Sequence, residues 1–462
     1  MAYAISVDIG STYTKGALFG YDEQKTAPLE VLAAAVTPTT VENLPDGYER
    51  VAAELRRSLP LGAREEPGVF FSSSAKGGLA IYALGIVPEL TLKTAKLTAL
   101  SAGGKVVGFS AYKLTSKDLR VLEEGRPDVV LLAGGTNGGN ESYLRHNAKQ
   151  LMRSDYLRER ATVVFAGNEV LAEEIPEALK EAGFSVRVAE NIMPEVDEIN
   201  PQNAREHIRE VFLQRIVKGK GLDVIVNQVG RAPNPTPYAV LSLVEAISLN
   251  APDFGEFVLI DLGGATTDIY SYARDEHGAE RVVYRGLPEP LVKRTVEGDL
   301  GMRVSARSVA EFVPEETAHN KDFQDFIAKI NADTSYLPPD EQGKNYDRIM
   351  ARTCIDLALQ RHAGTQKRVF TAMGDAFIQQ GKDLRGVSKL IGSGGYLSRA
   401  GDFVYDGRTA ERIGALQNGE QVSLLPQKID YYRDVQYIFP LLGNLVEELA
   451  SRAVLTAINS IV

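Results

Sequence analysis

The chain has 462 residues, 44% hydrophobic and 24% charged, the profile of a folded globular protein of about two to four domains. Its 51 basic and 61 acidic residues give a net charge of -10, which argues against general binding to nucleic acid or anionic membrane. A single cysteine, Cys354, excludes a disulfide framework within the chain, and five histidines without HExxH spacing give no zinc signal.

Residues 3–38 read as three strands, Tyr3–Asp8, Lys15–Asp22 and Leu29–Thr37, separated by hairpin-sized gaps. A helix is predicted over Val41–Leu59, where Val51, Leu55 and Leu59 recur at four-residue spacing. A strand at Gly68–Ala75 and a helix at Leu92–Leu100 follow. From Lys105 strands and helices alternate strictly. The strands are Val106–Ala111, Val129–Ala133, Val163–Ala166 and Val186–Ala189; the helices between them are Lys117–Glu124, Glu141–Arg153 and Val170–Ala182. That spacing predicts a parallel sheet covered by helices.

Helix Ala204–Val217 and the Pro-rich Arg231–Pro237 lead to a helix at Ala239–Leu249. A second strand trio is predicted at Phe257–Asp261, Thr267–Ala273 and Arg281–Tyr284. The remainder reads as largely helical, including Asp347–His362, with a short strand at Lys389–Ile391 and an amphipathic C-terminal helix at Leu441–Ile461. The expected organisation is a first lobe (1–104), an inserted α/β unit (105–195), a helical connector (196–250), a second lobe (251–438) and a C-terminal helix (439–462) returning to the first lobe. The start lacks a signal-peptide pattern and no uncharged apolar run approaches the roughly 18 residues of a membrane span, so a cytoplasmic location is expected.

The chemistry sits at the two trios. In "VDIGSTYTK" a strand delivers Asp8 to a turn in which Gly10 lets a ligand approach the backbone amides, which can form an anion-binding nest. Ser11, Thr12 and Thr14 add hydroxyl donors, and Lys15 on the return strand can reach a terminal phosphate as a point charge. An aspartate in a phosphate site needs a cation, for which Mg²⁺ is the natural choice. About 250 residues later "IDLGGATTD" repeats the device with Asp261, Gly263, Gly264, Thr266 and Thr267. One such hairpin is as readily an ordinary Gly-rich turn; two, each opening a strand trio, read as a clamp on a polyphosphate, with Asp8 and Asp261 flanking one metal. A third glycine-rich turn, Gly392, Gly394 and Gly395, follows a buried strand and reads as a nucleoside wall. "LLAGGTNGGN" (Leu131–Asn140) reads as a helix-capping turn, with an anion or partner loop as the alternative, and "FSSSAKGG" as a surface turn in which Lys76 could approach a phosphate.

This order of loops resembles the actin, sugar kinase and heat-shock chaperone ATPase superfamily. Within it the chain resembles the glutamate mutase accessory proteins, called GlmL or MutL and unrelated to the mismatch-repair protein. The resemblance is carried by "VDIGSTYTK", "LLAGGTNGGN", "AENIMPEVDEIN", "IDLGGATTDIYS" and "RTVEGDLGMRVSA", and extends to "LIGSGGYLSRA". It implies a two-lobed actin-like α/β fold of the ribonuclease H type with an inserted α/β domain. It also implies binding of ATP or ADP with Mg²⁺. Asp8, Gly10, Ser11, Thr12 and Lys15 match the first phosphate loop; Asp261, Gly263, Gly264, Thr266 and Thr267 match the second; and Gly392, Gly394 and Gly395 match the nucleoside turn. The long insertion obscures the first interdomain element, so no catalytic base is assigned.

The implied role is an ATP-hydrolysing, chaperone-like factor that binds subunits of an adenosylcobalamin-dependent mutase and maintains or reactivates it. Cobalamin itself is not expected to bind, and a homo-oligomer is compatible with the role. In this scheme Asp8 and Asp261 position the metal and, through its waters, the attacking water, while Lys15 stabilises charge on the transferred phosphoryl group. Two alternatives stand beside it: a small-molecule kinase of the same superfamily, for which Asp268 would be the available base, and a nucleotide-dependent scaffold without turnover.

Overall fold

The computed structural model describes residues 1–61, 63, 65–74, 79–196, 198–216, 221–274, 282–287, 289–371, 374–407 and 421–462. Lys76, Gly77, Gly78 and Arg281 therefore lie outside the described residues. The strands in chain order are β1 (Ala2–Ile9), β2 (Tyr13–Tyr21), β3 (Glu30–Pro38), β4 (Gly68–Ser73), β5 (Ala80–Leu84), β6 (Lys105–Ser110), β7 (Val129–Leu132), β8 (Thr162–Phe165), β9 (Ser185–Val188) and β10 (Asn234–Pro235). They continue as β11 (Phe257–Leu262), β12 (Thr267–Tyr272), β13 (Val282–Tyr284), β14 (Val292–Glu297), β15 (Thr365–Thr371), β16 (Gly374–Gln380), β17 (Lys389–Ser393), β18 (Gln421–Ser423) and β19 (Asp430–Arg433).

Two sheets share one topology. In the first, β1, β2 and β3 form an antiparallel meander, β4 joins β1 in parallel, and β10 joins β4 in parallel, in the order β10-β4-β1-β2-β3. In the second, β11, β12 and β14 form the meander, β17 joins β11 in parallel and β19 joins β17, in the order β14-β12-β11-β17-β19. This duplicated arrangement is the two-lobed actin-like fold.

Period-two burial explains how the lobes meet. In β1, Ile5, Val7 and Ile9 enter a core with helix Leu44–Arg57, while Ala4 faces the other way. In β11, Val258, Ile260 and Leu262 enter the core of the second lobe, while Phe257 and Leu259 face away from it. The two outward faces share a central core filled by helix Thr236–Asn250 and the C-terminal helices Phe439–Gly443 and Val446–Ser460. The C-terminal segment is thus two helices rather than one, with Leu449 non-helical (φ -128°) inside the second. Asn444 pins this layer to the first lobe, donating to Ser6 Oγ, Val7 O and Ser72 Oγ.

The inserted sheet is entirely parallel, in the order β6-β5-β7-β8-β9. It begins at Ala80, upstream of the alternation visible from Lys105. Asn168 and Asn191 staple its glycine loop. Asn168 Oδ1 accepts from Gly138 N at 3.1 Å and Asn191 Nδ2 donates to Gly135 O at 2.9 Å, so "AGGTNGG" is held as a βα turn.

Two expectations fail in the second lobe. Val282–Tyr284 is not the third strand of the trio; it pairs with β16 in a separate sheet, β13-β16-β15-β18. The third strand is Val292–Glu297, hidden in sequence by Lys293 and Arg294. Both are buried, and both are paired: Lys293 Nζ donates to His362 O, and Arg294 binds Asp268. Likewise, within the remainder read as largely helical, 365–371 and 374–380 are the paired strands β15 and β16. No helix among the described residues is long and apolar enough to cross a membrane.

Candidate functional site

A cleft of about 710 Å³ opens between the lobes. Its walls include Asp8, Gly10, Ser11, Thr12 and Lys15 from the first lobe, Asp261, Gly263, Gly264 and Thr266 from the second, and Gly395.

The two hairpins are built alike. Gly10 N donates to Tyr13 O at 3.1 Å, and Gly263 N donates to Thr266 O at 2.9 Å. The first turn is braced by the end of β3, with Thr39 N donating to Thr12 O and Thr39 Oγ1 to Gly10 O. The second is braced by the segment 302–305: Met302 N donates to Gly263 O, Arg303 N and Val304 N to Gly264 O, and Ser305 Oγ to Ala265 O. With these carbonyls tied back, the loop amides beyond Gly10 and Gly263 can serve an anion in the cleft. A Cβ on Gly264 would lie 3.8 Å from Thr12 Oγ1, so the turns face each other across a short gap.

In the β1–β2 register Asp8 stands opposite Lys15; in β11–β12 Asp261 stands opposite Asp268. Asp8 Oδ1 accepts from Ser72 Oγ at 2.9 Å and Thr236 Oγ1 at 2.6 Å, and neither bond uses Oδ2. Burial raises the Asp8 carboxyl above the usual range, against the opposing pull of Thr236, Lys15 and Ser72. Burial, then the neighbouring Asp268, pushes Asp261 up, while Lys15 opposes. Burial lowers Lys15, while Asp8 and Asp261 hold its proton.

Buried Asp8 and half-buried Asp261 thus share one ammonium, a donor set that a divalent cation would relieve. Among the described residues no cluster of three or more His, Cys, Asp or Glu side chains could cage a metal. The fit is therefore to an ion held mainly by phosphate oxygens and waters, which is how Mg²⁺ binds.

Four of the sequence candidates, Thr14, Thr267, Gly392 and Gly394, do not line the cleft, and Thr14 is buried with its hydroxyl 3.1 Å from Thr39 Oγ1. Thr267 is buried, its Oγ1 donating to Leu300 O at 2.8 Å. Gly392 lies within β17, where a Cβ would meet Tyr431 Oη at 2.3 Å. Gly394 has φ +100° and a Cβ would meet Leu262 O at 2.2 Å. These glycines set how closely β17 and its turn pass their neighbours. Gly394→Ala is expected to cost about 1–3 kcal/mol of stability, seen as a lower urea midpoint, because both the backbone conformation and the carbonyl forbid the methyl.

Several cleft residues escape sequence reading. Thr236 opens helix Thr236–Asn250, the interdomain element that the insertion hides, and its Pro-flanked "NPTP" context was the only cue. Arg303 forms a bidentate pair with Asp347 (2.9 and 3.0 Å), tying the second hairpin's brace to helix Glu341–His362. Asp268 is held by Arg294, whose Nε and Nη2 reach Asp268 Oδ1 at 2.9 and 2.6 Å. Arg294 Nη1 also donates to Leu100 O (2.5 Å) and Gly104 O (3.2 Å), at the end of helix Lys93–Ser101 in the other half of the molecule. Tyr437 places its ring over Lys15.

The chain matches the family model described as MutL protein over residues 4–461. It is 35% identical to "Protein MutL" of Clostridium tetanomorphum over 465 residues, covering 97% of this chain and 96% of that protein. Among solved structures, an acetone carboxylase in nucleotide-free form aligns at TM-score 0.41 and 12% identity, over 96% of this chain and 69% of that one. A diol dehydratase-reactivating factor in nucleotide-free form aligns at 0.39 and 10% identity, over 97% and 100%. The match along almost the whole chain, in sequence as well as in the family pattern, places this chain in the MutL protein family.

Proposed function

We propose that this chain binds and hydrolyses Mg²⁺-ATP and uses the cycle to grip and release an adenosylcobalamin-dependent mutase, keeping that enzyme active. The observation that carries the reading is the pair of like-built hairpins facing each other across the cleft, with Asp8, Asp261 and Lys15 between them.

The amides and hydroxyls of Ser11–Thr12 and Gly264–Thr266 bind the phosphates from two sides. Lys15 meets the negative charge that grows on the transferred phosphoryl group. Asp8, oriented by Ser72 and Thr236, and Asp261 hold the water shell of the cation and so orient the attacking water. The ion itself, when bound, screens the phosphate charge. Because the hairpins belong to different lobes, the terminal phosphate favours the closed cleft, and its loss removes that bias. A mutase as client is supported by family membership and by the resemblance of the motifs.

Asp268, the base a kinase would need, has its Oδ1 taken by two Arg294 bonds while its Oδ2 accepts from Thr266 Oγ1 at 3.4 Å, which disfavours the kinase alternative. The test is ATP turnover by the purified chain with Mg²⁺ and no acceptor, repeated with an inactivated adenosylcobalamin-dependent mutase. Turnover that rises with the mutase is expected; absence of both binding and turnover defeats the reading.

A further inference from the structure

We propose that Tyr437 is a positioning residue for Lys15, its ring face holding the lysine ammonium at the phosphate end of the cleft. This rests on the nucleotide reading above. Lys15 Nζ lies 3.1 Å from the centroid of the Tyr437 ring, well inside cation–π range. Tyr437 sits at φ +51°, a region sparsely used by bulky residues, so the surrounding structure must impose it.

The imposing group is Asp434, itself fully buried. Its Oδ1 accepts from Ile438 N and its Oδ2 from Phe439 N, while its carbonyl accepts from Tyr437 N. The same Asp434 is locked to the nucleoside turn, accepting from Ser393 Oγ at 2.9 Å and donating from its own N–H to Gly392 O. The backbone that fixes that turn therefore also aims the Tyr437 ring at Lys15.

A lysine has a flexible four-carbon stem and a strongly hydrated head. Here Asp8 and Asp261 pull on that head from two sides, and full contact with either would spend the charge on an acid rather than on phosphate. An aromatic face attracts the ammonium without offering an anionic acceptor that competes with a phosphate oxygen. The ring thus keeps the Lys15 head in place and available.

Tyr437→Leu, Tyr437→Met and Tyr437→Phe separate the ring from mere bulk. Two measurements are made on the full chain: kcat and KM for Mg²⁺-ATP, and acylation of Lys15 by acetic anhydride, followed by mass spectrometry without nucleotide. For Leu and Met we expect kcat to fall about tenfold with KM within about threefold, and Lys15 acylation to rise several-fold, while Phe recovers both. Leu and Met variants that match the parent, or a Phe variant as impaired as Leu, overturn the proposal. If the parent shows no turnover but its Lys15 labelling still follows the ring, the contact stands and the ATPase reading fails instead.

Discussion

Asp8→Asn and Asp261→Asn are each expected to lower Mg²⁺-dependent ATP turnover by about a hundredfold or more while the fold survives. Asn is the informative replacement. Asp8 serves structurally as an acceptor for Ser72 and Thr236 at Oδ1, and an amide oxygen can accept both bonds. The charge is what disappears. With only one carboxylate left, the cleft keeps Lys15 but loses half of its hold on a divalent cation. Turnover should therefore fall more steeply at low Mg²⁺ than at high Mg²⁺. Circular dichroism and the urea midpoint should stay close to the parent. Variants that hydrolyse ATP normally would move the site away from these two hairpins.

Arg294→Met is expected to destabilise the molecule by about 3–5 kcal/mol, because it leaves Asp268 buried and uncompensated. It also removes the side-chain donor from Gly104 O and from Leu100 O, which keeps its bond from Gly103 N. Those carbonyls lie at and just past the end of the helix that joins β5 to β6, so hydrogen-exchange protection should fall over residues 93–105 as well as at β12. The double variant Arg294→Met with Asp268→Asn should recover much of the loss, since no unpaired charge remains buried. A single variant with an unchanged urea midpoint would show that the bridge contributes nothing. If the double variant is worse than the single one, the cost lies in packing rather than in charge.

The first strand trio, the first two strands of the second, the βαβ alternation and both glycine hairpins could be read from the residues, because each depends on short-range pattern. Asp8 and Lys15 are seven positions apart and become partners through one tight hairpin. The inserted sheet announced itself by regular apolar strands such as Val129–Leu132, which are wholly buried. By contrast, β14 was missed because a strand carrying Lys293 and Arg294 looks solvent-exposed until Glu289, His362 and Asp268 are placed around it. The hairpin β15–β16 was missed for a related reason: of the apolar residues on its two strands only Ala376 is buried, while Phe370 is exposed, so its letters mark no core face at strand period.

Residues close along the chain carried enough information to place a charged, glycine-turned hairpin in each half and to mark the two as copies. What surrounds those hairpins came from far away: Thr236 reaches Asp8 across 228 positions, Asn444 reaches Ser72 across 372, and Arg294 joins Gly104 across 190. Such contacts depend on how the layers stack, and no local propensity encodes them. Glycine, too, had two meanings that only packing could separate. Gly264 lines the cleft with room for a methyl, Gly10 lines it but would press a Cβ to 2.8 Å from Tyr13 O, and Gly392 and Gly394 exist because Tyr431 and Leu262 pass too close for any side chain.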